Sequence, residues 1–546
     1  MRVTLLWLLF LVSQFTFAQE KTISGVVSDE SGGLPGVSII IKGTTTGVET
    51  DFDGNYSINA KQNDILVFSF VGKATQVKTV GASNKINVVL ADDENLLNEI
   101  VVTALGIKRK AKSIGSAQQT VKGDDLTKTR ETDISTALAG KVYGIQFTGQ
   151  PSSSFKGADV RLRGAKNVLY VVDGIRLNSS TDVNTEDIES MTVLKGLAAT
   201  ALYGPSGKNG AIVIISKKGK NGKSEIVFNS SIGLSSVMGL PEYQNQYGGG
   251  YRNDGKGSAD ENTSSIGYWN TLNGQKIVNY AADESWGPKL DGTLVRQWDS
   301  WIKGDPEFGK LRAWSANPDN IKDFYRTGQV TNNSLTFSKG GEGYSIRTTL
   351  GQVKQDLVLE NSDRKTTRVN TNLSFDLNKK LTFSTTVNYS NRVTKNDPDG
   401  QYNNLASNLN QWWQRQIDVS RLKDYKRNGE MVSWNINSPT NPRPAYWNSP
   451  YFTLYENGNL ETKDAVFGKV ALAYKITEKL NASVAYKRAI NQYERSDKVG
   501  FGGLATESFR ERKTTSSEDE IFAITNYSNT WNNFELKAST WFSINR

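Results

Sequence analysis

Cysteine and histidine are both absent from the 546 residues. Without them the chain cannot build a Ser-His-Asp or Cys-His nucleophile, an imidazole base, or a thiolate or imidazole zinc site. Any catalysis would have to run on carboxylates, lysine, serine or tyrosine, so no enzyme is expected, and neither a cofactor nor a metal. No disulfide framework can form, which argues against a small stapled secreted domain and leaves the compartment open. Long apolar runs are also missing: none past the N-terminus approaches the roughly 20 residues that a membrane-spanning helix needs.

What is present starts with an export signal. Arg2 precedes an apolar stretch from Leu5 to Val12, and Thr16-Phe17-Ala18 places small residues before a cut at Gln19. This pattern predicts a secretory signal peptide over residues 1–18. An exported chain without spanning helices is soluble or crosses a membrane as a β-barrel. Lys+Arg number 65 against 56 Asp+Glu, a net charge of +9. The basic residues are mostly dispersed, the densest cluster being Lys108-Arg109-Lys110 with Lys112. In an exported protein such a balance implies no nucleic-acid partner and suits anionic headgroups of outer-membrane lipid.

Residues 21–91 read as short strands, including Thr22 to Val27, Val37 to Ile41, Tyr56 to Ile58, Ile65 to Phe70 and Ile86 to Leu90, separated by turns such as Asp53-Gly54-Asn55. The spacing predicts a small β-sandwich. Asp51, Asp53 and Asn55 imitate the start of an EF-hand loop, but Gln62 stands where its bidentate Glu would, so a turn is expected. The string from Gly25 through Pro35-Gly36-Val37, Lys42-Gly43-Thr44 and Asp51-Phe52-Asp53-Gly54-Asn55-Tyr56 resembles the carboxypeptidase-regulatory-like sandwich. That domain precedes many outer-membrane transporters. It also accompanies metallocarboxypeptidases, an association excluded here because their zinc needs histidine.

A linker, residues 92–108, opens on Asp92-Asp93-Glu94-Asn95 and holds an extended stretch, Leu97 to Gly106, that is a plausible strand. Lying between two domains, it is accessible to a partner that adds a strand of its own. Residues 109–222 then form an α+β pattern: Asp159 to Gly164, Asn167 to Ile175, Asp187 to Gly196, a small-residue helix Ala198 to Tyr203 stopped by Gly204, and Gly210 to Gly219. The phosphate-loop fragment Gly222-Lys223-Ser224 fails because Lys217 stands where its first glycine belongs.

Residues 223–546 alternate with period two. Leu381, Phe383, Thr385, Val387 and Tyr389 oppose Thr382, Ser384, Thr386 and Asn388, and Val369 to Leu377 and Val466 to Ile476 repeat the pattern. Strands of about ten residues, aromatics such as Tyr389, Tyr474, Tyr486 and Phe542 near strand ends, and tight turns alternating with long stretches (239–322 and 394–454) predict a transmembrane barrel. About nine strands are countable. An eight-strand barrel holds only side chains, whereas a plug of about 120 residues has a radius of gyration near 13 to 14 Å. Nine strands therefore cannot enclose it, and the chain is expected to be the N-terminal portion of a longer protein.

Taken in order, these strings resemble the SusC/RagA-like TonB-dependent outer-membrane transporters. The resemblance implies a mainly β fold: a carboxypeptidase-regulatory-like β-sandwich, an α+β plug domain, then the first strands of a transmembrane antiparallel β-barrel, incomplete in this chain. It also implies TonB-dependent import of a large nutrient, an oligosaccharide or a peptide, through the outer membrane, with the sandwich in the periplasm. A SusD-like surface lipoprotein would act as lid and the TonB-ExbB-ExbD complex would supply energy. By resemblance the TonB box falls on Glu99, Ile100, Val101, Val102, Thr103 and Ala104, and the plug motifs on Arg161, Arg163, Gly164, Asp173, Gly174, Lys195, Tyr203 and Gly204. The chain departs from the family pattern at Val71 to Thr75, where an aromatic usually follows the glycine, and at Ala104-Leu105-Gly106, where the box usually ends in Gly-aromatic-Gly.

Eight tryptophans (286, 298, 301, 314, 412, 413, 434 and 447) fall in the long loop regions, where indoles either stack on sugar rings or pack the loops. Trp412, Trp413 and Arg415 are the expected ligand or lid contact. The rival to transport is a secreted or surface β-rich binding or adhesion protein.

Overall fold

The computed structural model describes residues 21–30, 32–44, 46–70, 73–91, 100–102, 108–110, 118–128, 133–148, 154–155, 159–177, 183–250, 270–398, 405–531 and 534–546. The export signal, Val71-Gly72 and the acidic opening of the linker lie outside them. The chain divides into two units, Met1–Ser116 and Ala117–Arg546.

In the first unit, Lys21–Asp29 pairs antiparallel with Asn55–Ala60 and parallel with Val88–Val89. A second sheet orders Gly47–Glu49, Ser38–Ile41, Ile65–Ser69 and Gln76–Thr79. Alternation drives both: Tyr56, Ile58 and Ala60 point in while their neighbours are exposed. The core between the sheets gathers Ile23, Val27, Ile39, Ile58, Leu66 and Phe68. Gly25 sits where a Cβ would lie 1.9 Å from the Ile86 carbonyl oxygen, so only glycine fits this crossing. Asp51 makes a turn as expected, its Oδ1 accepting from the backbone N–H of Asp53 at 3.0 Å and of Asn55 at 2.8 Å.

The second unit opens with a five-stranded mixed sheet. Its strands are β1 (Gln118–Lys122), β2 (Leu169–Val172), β3 (Ile175–Leu177), β4 (Ile188–Leu194) and β5 (Ala211–Ser216), in the spatial order β1-β4-β5-β2-β3. β5, Ala-Ile-Val-Ile-Ile-Ser, is apolar almost throughout, as a central strand covered on both faces must be. Helix α1 (Leu197–Tyr203) ends at Gly204, whose φ of 62° suits only glycine without strain.

Nine antiparallel strands follow in one sheet, paired in sequence order: β6 (Ser224–Ser235), β7 (Gly328–Gly341), β8 (Tyr344–Asp356), β9 (Asp363–Asp376), β10 (Leu381–Lys395), β11 (Gly458–Lys475), β12 (Leu480–Val499), β13 (Ser508–Trp531) and β14 (Phe534–Asn545). The expected count of nine is met, and among the described residues the sheet does not close on itself. The strands are longer than the expected ten residues, up to 24 in β13. At about 3.3 Å per residue that strand spans far more than a hydrocarbon core of about 30 Å, so it rises beyond the bilayer.

Register fixes the faces of this wall. Leu350, Val369, Tyr389, Val466 and Ile490 share one cross-strand row on the outer face. Leu350, Tyr389 and Val466 are exposed, as a lipid-facing surface requires. Tyr344, Phe375 and Phe383 form an aromatic row near the tight turns. Tyr389, six residues along β10 from Phe383, lies about 20 Å further along the strand on the same face. Most inner residues of β7–β10 are small and polar.

The long connections fold into a core of their own, including Trp298, Trp314, Trp413, Trp434, Trp447 and Tyr451. Asp299 and Asp305, both buried, tie this region together through Arg312, Arg421 and Arg427.

Candidate functional site

The plug rests on the inner face of the wall, and its motif residues form turns and contacts there. Asp173 and Gly174 are the two central residues of the β2–β3 hairpin, with φ of 50° and 85°, the left-handed pair of a type I′ turn. The Asp173 carboxylate is held inside the plug, accepting from the Ser216 N–H at 3.1 Å and the Ser216 hydroxyl at 2.5 Å. Its carbonyl faces the wall and accepts from Lys469 Nζ at 2.8 Å. A side chain at Gly174 would come within 3.6 Å of Lys487 Nζ. The hairpin tip therefore docks between lysines of β11 and β12.

Arg163 and Gly164 make a second left-handed turn, with φ of 51° and 84°. The Arg163 guanidinium passes beside Gly196, next to Lys195 and at the start of α1. Arg161 lies on a strand, Asp159–Leu162, paired with Ile145–Thr148. Burial raises the Tyr203 phenol above its ordinary pKa range, with the Glu520 carboxylate of β13 adding to it and Arg176 opposing. Arg176 of β3 reaches the same wall strand, 2.8 Å from Glu518.

Sequence reasoning missed the firmest attachment. Asp187 was expected to begin a strand. Instead Thr185–Asp187 is a turn of 3-10 helix capped by the Asn184 side chain, and the strand starts at Ile188. The turn aims two carboxylates at the wall. Asp187, 2% exposed, accepts from Thr349 Oγ1 at 2.6 Å and from the Arg347 guanidinium at 3.1 Å, both on β8. Burial pushes this carboxyl upward in pKa, opposed by Thr349 and Arg347. Glu186 accepts from Asn229 of β6 at 3.2 Å and from the Ser334 hydroxyl of β7. Three consecutive wall strands thus grip one turn. The only sequence signal was two acids between Asn184 and an apolar strand, which also fits a solvated turn.

Further along, the Asn372 amide donates to Ser216 Oγ at 3.2 Å, and Arg364 donates to the Phe155 carbonyl at 2.7 Å. Phe467 and Ala489 of the wall join the plug's apolar core.

The remaining expected sites fall elsewhere. Ile100–Val102 forms a short strand paired antiparallel with Lys108–Lys110. Glu99, Thr103 and Ala104 lie outside the described residues. Trp413 is 5% exposed, edge-on to Trp434 at 5.2 Å, and Trp412 packs against the same loop core. Arg415 is 3% exposed and donates to Asn245, Asn320 and the Pro318 carbonyl. These three sit in the packing of the loop region.

A sheet-and-helix plug held on the inner face of an antiparallel, outwardly apolar wall is the architecture of a TonB-dependent receptor. The comparisons agree. Residues 23–102 match the CarboxypepD_reg-like domain and residues 110–211 the TonB-dependent receptor plug domain. TonB-dependent receptor SusC of Bacteroides thetaiotaomicron is 32% identical over 66% of this chain and 32% of its own length. TonB-dependent receptor P3 of Formosa agariphila is 31% identical over 72% of the chain and 35% of its own length. Among solved structures, the RagAB peptide importer in its open-open state superposes with a TM-score of 0.63 at 19% identity, over 81% of this chain and 48% of that one. The chain belongs to the SusC/RagA-like TonB-dependent receptors, a family of outer-membrane proteins. It spans about a third of the curated relatives' length and about half of the structural neighbour's.

Proposed function

We propose that this chain serves TonB-dependent active import of a large nutrient, an oligosaccharide or a peptide, across the outer membrane, and is not an enzyme. The carrying observation is the character of the seat: the plug meets the wall mainly through small polar side chains and a few ionic contacts, a surface that can part and re-form in water. In this reading Ile100–Val102, with its flanking box residues, pairs as an added strand with TonB in the periplasm. Force from the TonB-ExbB-ExbD complex then draws the plug off its seat. A SusD-like lipoprotein closes the loop end, where Trp412, Trp413 and Arg415 stiffen the loops that meet it.

Deletion of Glu99 to Thr103 tests the coupling. Uptake should fall to background while the receptor still inserts; unchanged uptake would refute it.

A further inference from the structure

Ser154 and Phe155 of the plug are held by a loop as well as by the wall. The other plug contacts described above end on residues within the wall strands, from Asn229 on β6 to Glu518 on β13. Asp397, in contrast, is the second residue past the end of β10 and opens the 396–457 connection. Its carboxylate accepts from the Phe155 N–H at 2.9 Å and from the Ser154 hydroxyl at 3.2 Å. From the other side Arg364 of β9 donates to the Phe155 carbonyl at 2.7 Å, and its guanidinium lies 4.6 Å from the centre of the Phe155 ring. Thr394 steadies Arg364, accepting from its Nε at 2.9 Å. Phe155 and Asp397 are both buried, so water competes poorly for these bonds.

Asp397 holds the plug with its side chain and is itself held by its backbone. The Asp397 N–H donates to the Asn459 side-chain oxygen at 3.0 Å, and its carbonyl accepts from the Asn459 amide nitrogen at 3.0 Å. Asn459, on β11, stands at the far end of the same connection. Its backbone exchanges two more bonds with Asn396, donating to Oδ1 at 3.1 Å and accepting from the Asn396 N–H at 2.7 Å. The Asn396 amide donates to the Asn361 carbonyl at 2.8 Å, and the Asn361 amide to the Leu454 carbonyl at 2.6 Å. This closed root carries Trp413, Trp434 and Tyr451, which pack in one core with Trp298 and Trp314 of the 236–327 connection. A shift of that loop body at its root carries the Asp397 backbone with it, and the carboxylate passes the shift to Phe155.

We propose that Phe155 is the positioning residue through which the loop body sets the plug. With the root closed, Asp397 and Arg364 latch the plug at Phe155. Displacement of the root from outside opens the latch without anything touching the plug. The proposal rests on the import reading and adds to it the route by which the loops govern plug release.

The test is hydrogen exchange on the purified full-length receptor in detergent, read at the Phe155 amide. Asp397→Ala, which keeps the backbone bonds to Asn459, should speed exchange there about tenfold, the loss of a bond to a charged acceptor. Asp397→Asn, which keeps an acceptor oxygen, should restore most of the protection. Asn459→Ala opens the root without removing any bond to Phe155. It should also speed exchange at Phe155, and should add nothing once Asp397 is alanine. Asn361→Ala, which loosens the root through Asn396 and Leu454, should act in the same direction. Ile214 in β5 should stay protected throughout. Unchanged protection of Phe155 in both root variants while exchange rises at Asp397 itself would overturn the latch. So would an equal effect of Asn459→Ala with and without the Asp397 carboxylate. A receptor that shows the coupling yet imports neither oligosaccharide nor peptide in cells with TonB intact would instead overturn the import reading alone.

Discussion

The plug's own core and the seat on which it rests are built from opposite materials. Between the plug's strands lie Ile188, Met191, Val193, Ile212 and Ile214, all apolar and fully buried. Between plug and wall lie Ser334, Thr336, Thr349, Asn370, Asn372 and Asn388, buried and all polar, with Phe467 and Ala489 as the apolar exceptions. Apolar burial is worth about 25 cal/mol per Å² and is lost on exposure to water. A neutral hydrogen bond contributes only about 0.5–1.5 kcal/mol net, because water replaces the partner. Pulled from the wall, the plug therefore keeps its fold and gives up its seat.

The largest expected effect is at the buried ion pair of the seat. Asp187→Ala strands the mostly buried Arg347 and should weaken plug seating by about 3–5 kcal/mol. Hydrogen exchange should then rise at Thr185–Asp187 and β8 while the centre of β5 stays protected. Melting of both together would erase the distinction between core and seat. Ile214→Ala should do the reverse, costing the plug core about 2–5 kcal/mol, read as lost protection across β4 and β5. Thr349→Val removes one donor to Asp187 and should cost about 1–3 kcal/mol, seen at the seat alone.

The smallest effect is a control in the sandwich. Hydrogen bonds from Asn55 and Asp53 hold the exposed Asp51 carboxyl below its ordinary pKa of 3.8, that of Asn55 being the largest cause. A depressed folded pKa means stability that is present above pH 3.8 and is lost as pH falls through the folded value. Asp51→Ala should flatten the acid limb of the sandwich's unfolding curve without altering plug seating.

The wall was the most legible region, because a period of two survives in sequence wherever one face meets lipid. Its nine strands, the Asp173-Gly174 turn and the helix stop at Gly204 all follow local rules. Glu186 and Asp187 were not legible, since their partners on β6, β7 and β8 lie 43 to 162 residues away. The loop tryptophans were ambiguous for the same reason. Trp413 packs on Trp434 through chain that carries no periodic pattern. Strand lengths were underread because charged residues above the bilayer, such as Arg510 to Lys513, interrupt the apolar alternation without ending the strand.

One measurement reaches the central claim that transport requires the plug to leave its seat. Because these 546 residues hold no cysteine, Ser216→Cys with Asn372→Cys, whose side chains touch across the seat, introduces one engineered pair into this part of the receptor. Uptake should stop when the pair is oxidised and return on reduction. Full uptake with the disulfide demonstrably closed would contradict the account.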